Sequence, residues 1–150
     1  MQIKTSRFGE LEVDESRLLQ FSKGILGFPE QHRYALIQTG RDSGFYWLQA
    51  ADRADLAFVV CDPRLFVADY RIPVKGEELA QIGLAEVSEA QIFVIVNKVD
   101  KMLTGNMQGP LVVNVQTRQG VQLVLSDRRH TTRHPLMELP ERSVAVSRTA

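Results

Sequence analysis

The chain has one cysteine, one tryptophan and no excess of either charge. A lone cysteine closes no internal disulfide, which fits a reducing compartment and excludes a disulfide-stapled secreted scaffold. Lysine plus arginine and aspartate plus glutamate stand at 18 each, so the formal net charge is zero. Binding to a phosphate backbone is driven by many cationic contacts, so this balance argues against nucleic acid as the main partner without excluding a local basic patch. Long apolar runs are missing. Ile92–Val96 is typical, whereas a membrane-spanning helix needs ~20 apolar residues. Met1–Arg7 has neither an apolar stretch nor a cleavage pattern, so no signal peptide is expected. The Gly-x-Ser-x-Gly elbow, the phosphate-cradling glycine loop and zinc-ligand spacings are missing too. The expectation is a soluble, cytoplasmic protein that binds no membrane, uses no cofactor and is not an enzyme.

What is present is concentrated between Phe45 and Tyr70. That stretch holds the tryptophan, the cysteine and half of the Phe and Tyr residues. Two apolar runs, Phe45–Ala50 and Leu56–Cys61, flank the charged spacer Ala51–Asp55. In the first, Phe45, Trp47 and Gln49 share one face of a strand and Tyr46, Leu48 and Ala50 the other. The second is apolar on both faces, as a central strand is. Asp62 is biased to extended geometry by the following proline, and Pro63 cannot donate to a sheet ladder, so pairing should stop there.

Around this stretch the chain reads as short strands. Leu11 and Val13 alternate with acids over residues 10–14, and Ile3 and Thr5 suggest a partner strand through the Arg7–Gly9 turn. Leu18–Phe21 and Tyr34–Thr39 are further strands, with Gly40–Gly44 a hairpin connection. In the loop Ser22–Glu30, the apolar residues Ile25, Leu26 and Phe28 are expected to pin the backbone to the core. Gly76–Gly83 is the best helix candidate, with Glu77 and Glu78 in its first turn and Gly83 as its stop. Gln91–Val99 is the strongest strand, and Lys101–Gly109 reads as a loop. Leu111, Val113 and Val115 alternate, Gly120 makes a turn, and Val121, Leu123 and Leu125 alternate again. The resulting fold class is all-β, mainly an antiparallel barrel or sandwich, with one short helix. One domain over residues 1–136 and a mobile tail over 137–150 are expected.

Candidate chemistry is thin. His130 and His134 have the i, i+4 spacing that can hold a metal on a helix, but Arg128, Arg129 and Arg133 beside them would repel a cation. Asp52, Asp55, Asp62 and Asp69 crowd the central stretch without the regular spacing and turn glycine of a calcium loop. Cys61 ends an apolar strand and reads as a small core residue. Phe66 and Tyr70 follow Pro63 in a region without clean periodicity, where they either pack back on the sheet or form an exposed partner anchor. The basic segment 128–134, joined to the aromatics of the central stretch, is the basis for an alternative reading as an RNA-binding β-barrel module.

Motif order goes further. Gly24-Ile25-Leu26-Gly27-Phe28, then Trp47-Leu48-Gln49, then Leu56–Pro63, then Phe66 and Asp69-Tyr70 resemble the flagellar assembly factor FliW family. So do Asn106 with Gly109–Asn114, and Gly120-Val121-Gln122 with Leu123–Leu125. The resemblance covers residues 1–136. It departs at Ala50, where serine is common, at Gly109, where alanine is common, and at His130, where tyrosine is expected. The resemblance implies a chaperone-like motility regulator that binds flagellin and also binds CsrA, a translational repressor, so that partner switching controls flagellin translation. The free protein is then expected to be a monomer. Candidate partner-binding residues are Phe66, Asp69, Tyr70, Asp52, Asp55, Asp62 and Asn106, with the acids as a surface that steers basic CsrA and Phe66 and Tyr70 as flagellin anchors.

Overall fold

The structure, a computed structural model, describes residues 1–38, 44–126 and 129–139. Most of the expected Gly40–Gly44 connection, Arg128 and the tail from 140 onward lie outside the described residues.

The fold is a closed β-barrel with additions on its outer face. In barrel order, β7 (Gln91–Val99), β6 (Ala57–Cys61), β5 (Phe45–Ala50), β4 (Arg33–Ile37), β3 (Leu19–Phe21), β10 (Gln119–Gln122) and β9 (Leu111–Val113) are hydrogen-bonded neighbours. A further pairing of β7 with β9 closes the ring. All these pairs are antiparallel except β3 with β10. The expected all-β architecture with one short helix is what forms.

Alternation along the strands fills the interior. Tyr46, Leu48, Val60, Phe93, Leu111 and Val113 belong to one cluster inside the barrel. The opposite faces of β6 and β7 are also apolar because they are covered. Cys61, Ile92, Val94 and Val96 pack with Tyr70 and Met107 in a second layer. That layer explains why Leu56–Cys61 and Gln91–Val99 carry no clean alternation.

The hairpin β1 (Gln2–Thr5) and β2 (Gly9–Glu12) forms around the expected turn. Ile3 packs with Leu18 and Ala35. At the hairpin tip, Arg7 lies 4.0 Å above the Trp47 ring. The helix α1 (Gly76–Gln81) starts where Glu78 accepts a hydrogen bond from the Lys75 N–H at 3.1 Å. Gly83 follows it with φ of 77°.

Several local expectations are corrected. Lys101–Gly109 is not a loop throughout. Met102–Gly105 forms β8, paired with β7 across a tight turn in which Asp100 takes the left-handed φ of 56°. His134–Glu138 forms β11 on the outer side of β8, with a bulge between Pro135 and Met137. The expected domain boundary at 136 therefore falls inside a strand. Gly120 is not a turn residue. It lies within β10, and a Cβ there would come within 2.6 Å of the Phe21 ring. The turn is earlier, where Asn114 Oδ1 accepts from Gln116 N at 2.9 Å and Arg118 takes φ of 63°. Leu26 does not pin its loop, being 72% exposed while Ile25 is buried. The side chain of Gln122 holds that loop instead, accepting from Leu26 N at 2.6 Å and donating to the Gly109 carbonyl at 3.0 Å.

Candidate partner-binding site

The chain leaves the sheet at Asp62. Its carboxylate accepts a hydrogen bond from Arg64 N at 2.9 Å, and Pro63 opens a 3-10 turn over Pro63–Leu65. A side-chain oxygen on the residue before a turn satisfies an N–H that the turn leaves unpaired, and the fixed φ of proline suits the next position. Phe66 then packs on the ring of Phe45, centroids 5.8 Å apart. The backbone turns again, with Tyr70 N donating to Val67 O at 3.0 Å.

This turn carries Tyr70 inward. It is only 5% exposed, and its hydroxyl donates to the Met107 carbonyl at 2.6 Å. Burial pushes the phenol well above its ordinary range. Tyr70 is therefore a core residue, and the expected exposed anchor is corrected to a packing role. Phe66 is half-buried.

Met107 sits in a turn shaped by Asn106, whose Oδ1 accepts from Gln108 N at 3.2 Å and Gly109 N at 3.1 Å. Met107 N in turn donates to Thr131 O at 2.8 Å. That bond brings in the segment before β11, and the His130 ring stands edge-on to Tyr70 with centroids 5.0 Å apart. Together Val67, Asp69, Tyr70, Arg71, Met107, Arg129, His130 and His134 enclose a cavity of about 400 Å³. Its lining includes the buried Tyr70 and Met107, together with Asp69 and the side chains of Arg71, Arg129, His130 and His134.

Of the expected site residues, Asp69 and Tyr70 line this cavity, while Phe66 and Asn106 support it from adjoining turns. Asp52, Asp55 and Asp62 are elsewhere and already paired. Asp52 meets Arg33 at 2.7 Å, Asp55 meets Arg53 at 2.9 Å, and Asp62 meets Arg64 at 3.2 Å. Hydrogen bonds from Arg33 and Arg53 hold the Asp52 and Asp55 carboxyls below the usual range. Burial opposes ionisation of Asp62, but hydrogen bonds from Arg64 and Gln91 outweigh it, and its pKa is lowered too. The crowding of acids in sequence thus does not make an unpaired acidic patch in space.

The residues missed in sequence are Val67, Arg71 and Met107, and the partnership of Arg129, His130 and His134 with them. The weak signal was the HTTRH segment. His130 lies in a bend and His134 opens a strand, so they share no helix face. Among the described residues no group of three or more His, Cys, Asp or Glu could hold a metal ion. Cys61 is buried, and burial pushes its thiol up to about 12, which leaves it a poor nucleophile. Every Phe, Tyr and Trp of the chain is buried or half-buried. The stacking platform on which the RNA-binding alternative depends is therefore not presented as exposed rings.

The family model described as FliW protein matches residues 2–136. The chain belongs to the FliW family. It is 38% identical over 141 residues to the flagellar assembly factor FliW of Leptospira interrogans serogroup Icterohaemorrhagiae serovar Lai, covering 92% of this chain and 94% of that one. It is 37% identical over 139 residues to the flagellar assembly factor FliW of Natranaerobius thermophilus, covering 91% and 92%. A crystal structure of the flagellar assembly factor FliW matches with a TM-score of 0.83 and 30% identity, over 94% of this chain and 99% of that one. Membership of the FliW family accounts for the ordered motifs. The Gly24–Phe28 loop, the β5–β6 hairpin and Gln122 are joined through hydrogen bonds in one barrel.

Proposed function

We propose that this FliW-family protein binds flagellin and CsrA in the cytoplasm by turns, and so couples flagellin supply to flagellin translation without catalysis. Flagellin bound to it leaves CsrA free to repress. Once flagellin is exported, the vacated protein captures CsrA and translation resumes. The relatives' shared name as flagellar assembly factors supports the motility role. The single observation that carries a binding function is the convergence of Asp69–Arg71, Met107, Arg129, His130 and His134 on one cavity.

That cavity suits an amphipathic flagellin segment. Val67, Tyr70 and Met107 offer an apolar base, and the exposed Arg71 favours an acidic side chain beside it. The steering role first assigned to Asp52, Asp55 and Asp62 has less support, because each already has an arginine partner.

The test uses Arg71→Glu, an exposed substitution that spares the buried Tyr70–Met107 bond. Flagellin affinity is measured by calorimetry, with circular dichroism confirming the fold. The reading requires at least ~10-fold weaker binding, the loss of about one charge-assisted contact. Unchanged affinity in a folded variant removes flagellin from this cavity. Absence of flagellin binding by the parent protein removes the function itself.

A further inference from the structure

A separate cavity of about 370 Å³ opens where the barrel interior meets solvent. Leu19, Leu36, Tyr46, Phe93 and Val113 line it, and all belong to the interior cluster or pack against it. The rim is apolar at Leu65, 64% exposed, and Val115, 51% exposed. Gly44, the polar Gln91 and two charged side chains, Asp62 and Arg118, complete the lining.

Arg118 is in an unexpected place. Its φ of 63° is the left-handed region that side chains other than glycine and asparagine disfavour. It occupies the last position of the loop between β9 and β10, its N–H donating to Asn114 O at 2.8 Å. Glycine is the ordinary residue at such a position. Arg118 lines the cavity, and its Nε and one terminal nitrogen donate to the Arg17 carbonyl at 3.1 and 2.7 Å.

No carboxylate pairs with Arg118 among the described residues. The one acid in the lining, Asp62, is engaged by Arg64 and Gln91. Partial burial and the nearby Arg17 charge both lower the Arg118 pKa, as expected for a cation without a counter-charge. An apolar recess beside an uncompensated guanidinium is complementary to a molecule with an apolar tail and an anionic head.

From this juxtaposition we infer that the barrel mouth binds a small aliphatic monocarboxylate, its carboxylate on the Arg118 guanidinium and its tail among Leu36, Tyr46, Phe93 and Val113. The site shares no lining residue with the cavity at Tyr70. It makes the protein a receptor for a small acid as well as a binder of proteins.

The test titrates the full chain with octanoate, octanol and butyrate, followed by calorimetry and by methyl NMR. Octanoate is expected to bind saturably and to shift Leu36, Leu65 and Val113 methyl signals. Octanol, lacking the charge, and butyrate, lacking the tail, are expected to bind at least ~10-fold more weakly. Arg118→Asn keeps a residue that tolerates the left-handed backbone but removes the guanidinium, and should weaken octanoate ~10-fold. Leu65→Glu, at an exposed rim position, places a like charge by the carboxylate and should do the same if Arg118→Asn proves unstable. The inference is overturned by no saturable binding, by octanol matching octanoate, or by shifts confined to another cavity. Unchanged affinity in either folded variant overturns it too. So does tighter binding at this mouth by a peptide ending in a free leucine carboxylate, which would make a chain terminus the occupant.

Discussion

The Tyr70 hydroxyl and the Met107 carbonyl meet at 2.6 Å, and through that bond the segment after Pro63 is tied to the turn after β8. The Met107 N–H in turn reaches the Thr131 carbonyl at 2.8 Å. Tyr70→Phe should therefore leave a buried carbonyl short of a donor and cost about 1–3 kcal/mol. Tyr70→Ala also removes the ring under His130 and should cost about 3–5 kcal/mol. Urea denaturation checks both. A cost within error of zero for Tyr70→Phe would show that the bond adds nothing to stability.

Tyr34 presents the opposite case. Its ring is fully buried, yet its hydroxyl has no hydrogen-bond partner among the described residues. Burial raises its pKa from 10 to about 12. A phenol with a raised folded-state pKa contributes stability below pH 10 that is lost as pH rises through the folded value. Tyr34→Phe should be neutral or stabilising by up to about 1 kcal/mol at pH 7, and should retain more stability than the parent above pH 10. Denaturation midpoints at pH 7 and pH 10.5 test this. A loss of more than about 1 kcal/mol at pH 7 would reveal a partner for the hydroxyl.

Gly120→Ala should destabilise by about 1–3 kcal/mol, because the added methyl would enter the Phe21 ring where β10 pairs with β3. The effect arises from close approach rather than turn conformation. Gly120→Ala with Phe21→Leu should therefore recover part of the loss. No recovery in the double variant would contradict the steric account.

The Arg33–Asp52 pair sets an acid dependence of the opposite sign to Tyr34. The Arg33 hydrogen bond lowers the Asp52 pKa below 3.8. Its contribution is present above the unfolded value and disappears as pH falls through the folded one. Because the pair is solvent-accessible, Asp52→Asn should cost less than about 1 kcal/mol at pH 7. The difference from the parent should shrink as pH falls below 3.8. A difference that does not change with acidification would assign the effect to packing rather than charge.

Much of the barrel is legible because its strands are bounded by strong local features. β5 and β6 end at the charged spacer and at Asp62–Pro63, and β7 is a β-branched run with a tight turn after it. β8 and β11 escape because neither has a pattern of its own. Met102–Gly105 is short, and Pro135 interrupts β11, so each is defined by the neighbour it pairs with. Gly120 is misread because a glycine serves a turn and a close approach equally well. The left-handed position falls to Arg118, which composition does not mark. The cavity at Tyr70 is legible only in pieces. Asp69 and Tyr70 stand out, but only the folded backbone brings Met107 and the segment from Arg129 to His134 beside them.

The central claim is that flagellin and CsrA occupy this protein by turns. The direct measurement is a titration of flagellin into a preformed complex of this protein with labelled CsrA, followed by anisotropy and by CsrA binding to flagellin messenger RNA. The account predicts that anisotropy falls with rising flagellin while CsrA regains RNA binding over the same range. A ternary complex with unchanged anisotropy, or CsrA that binds RNA equally well with and without this protein, would contradict it.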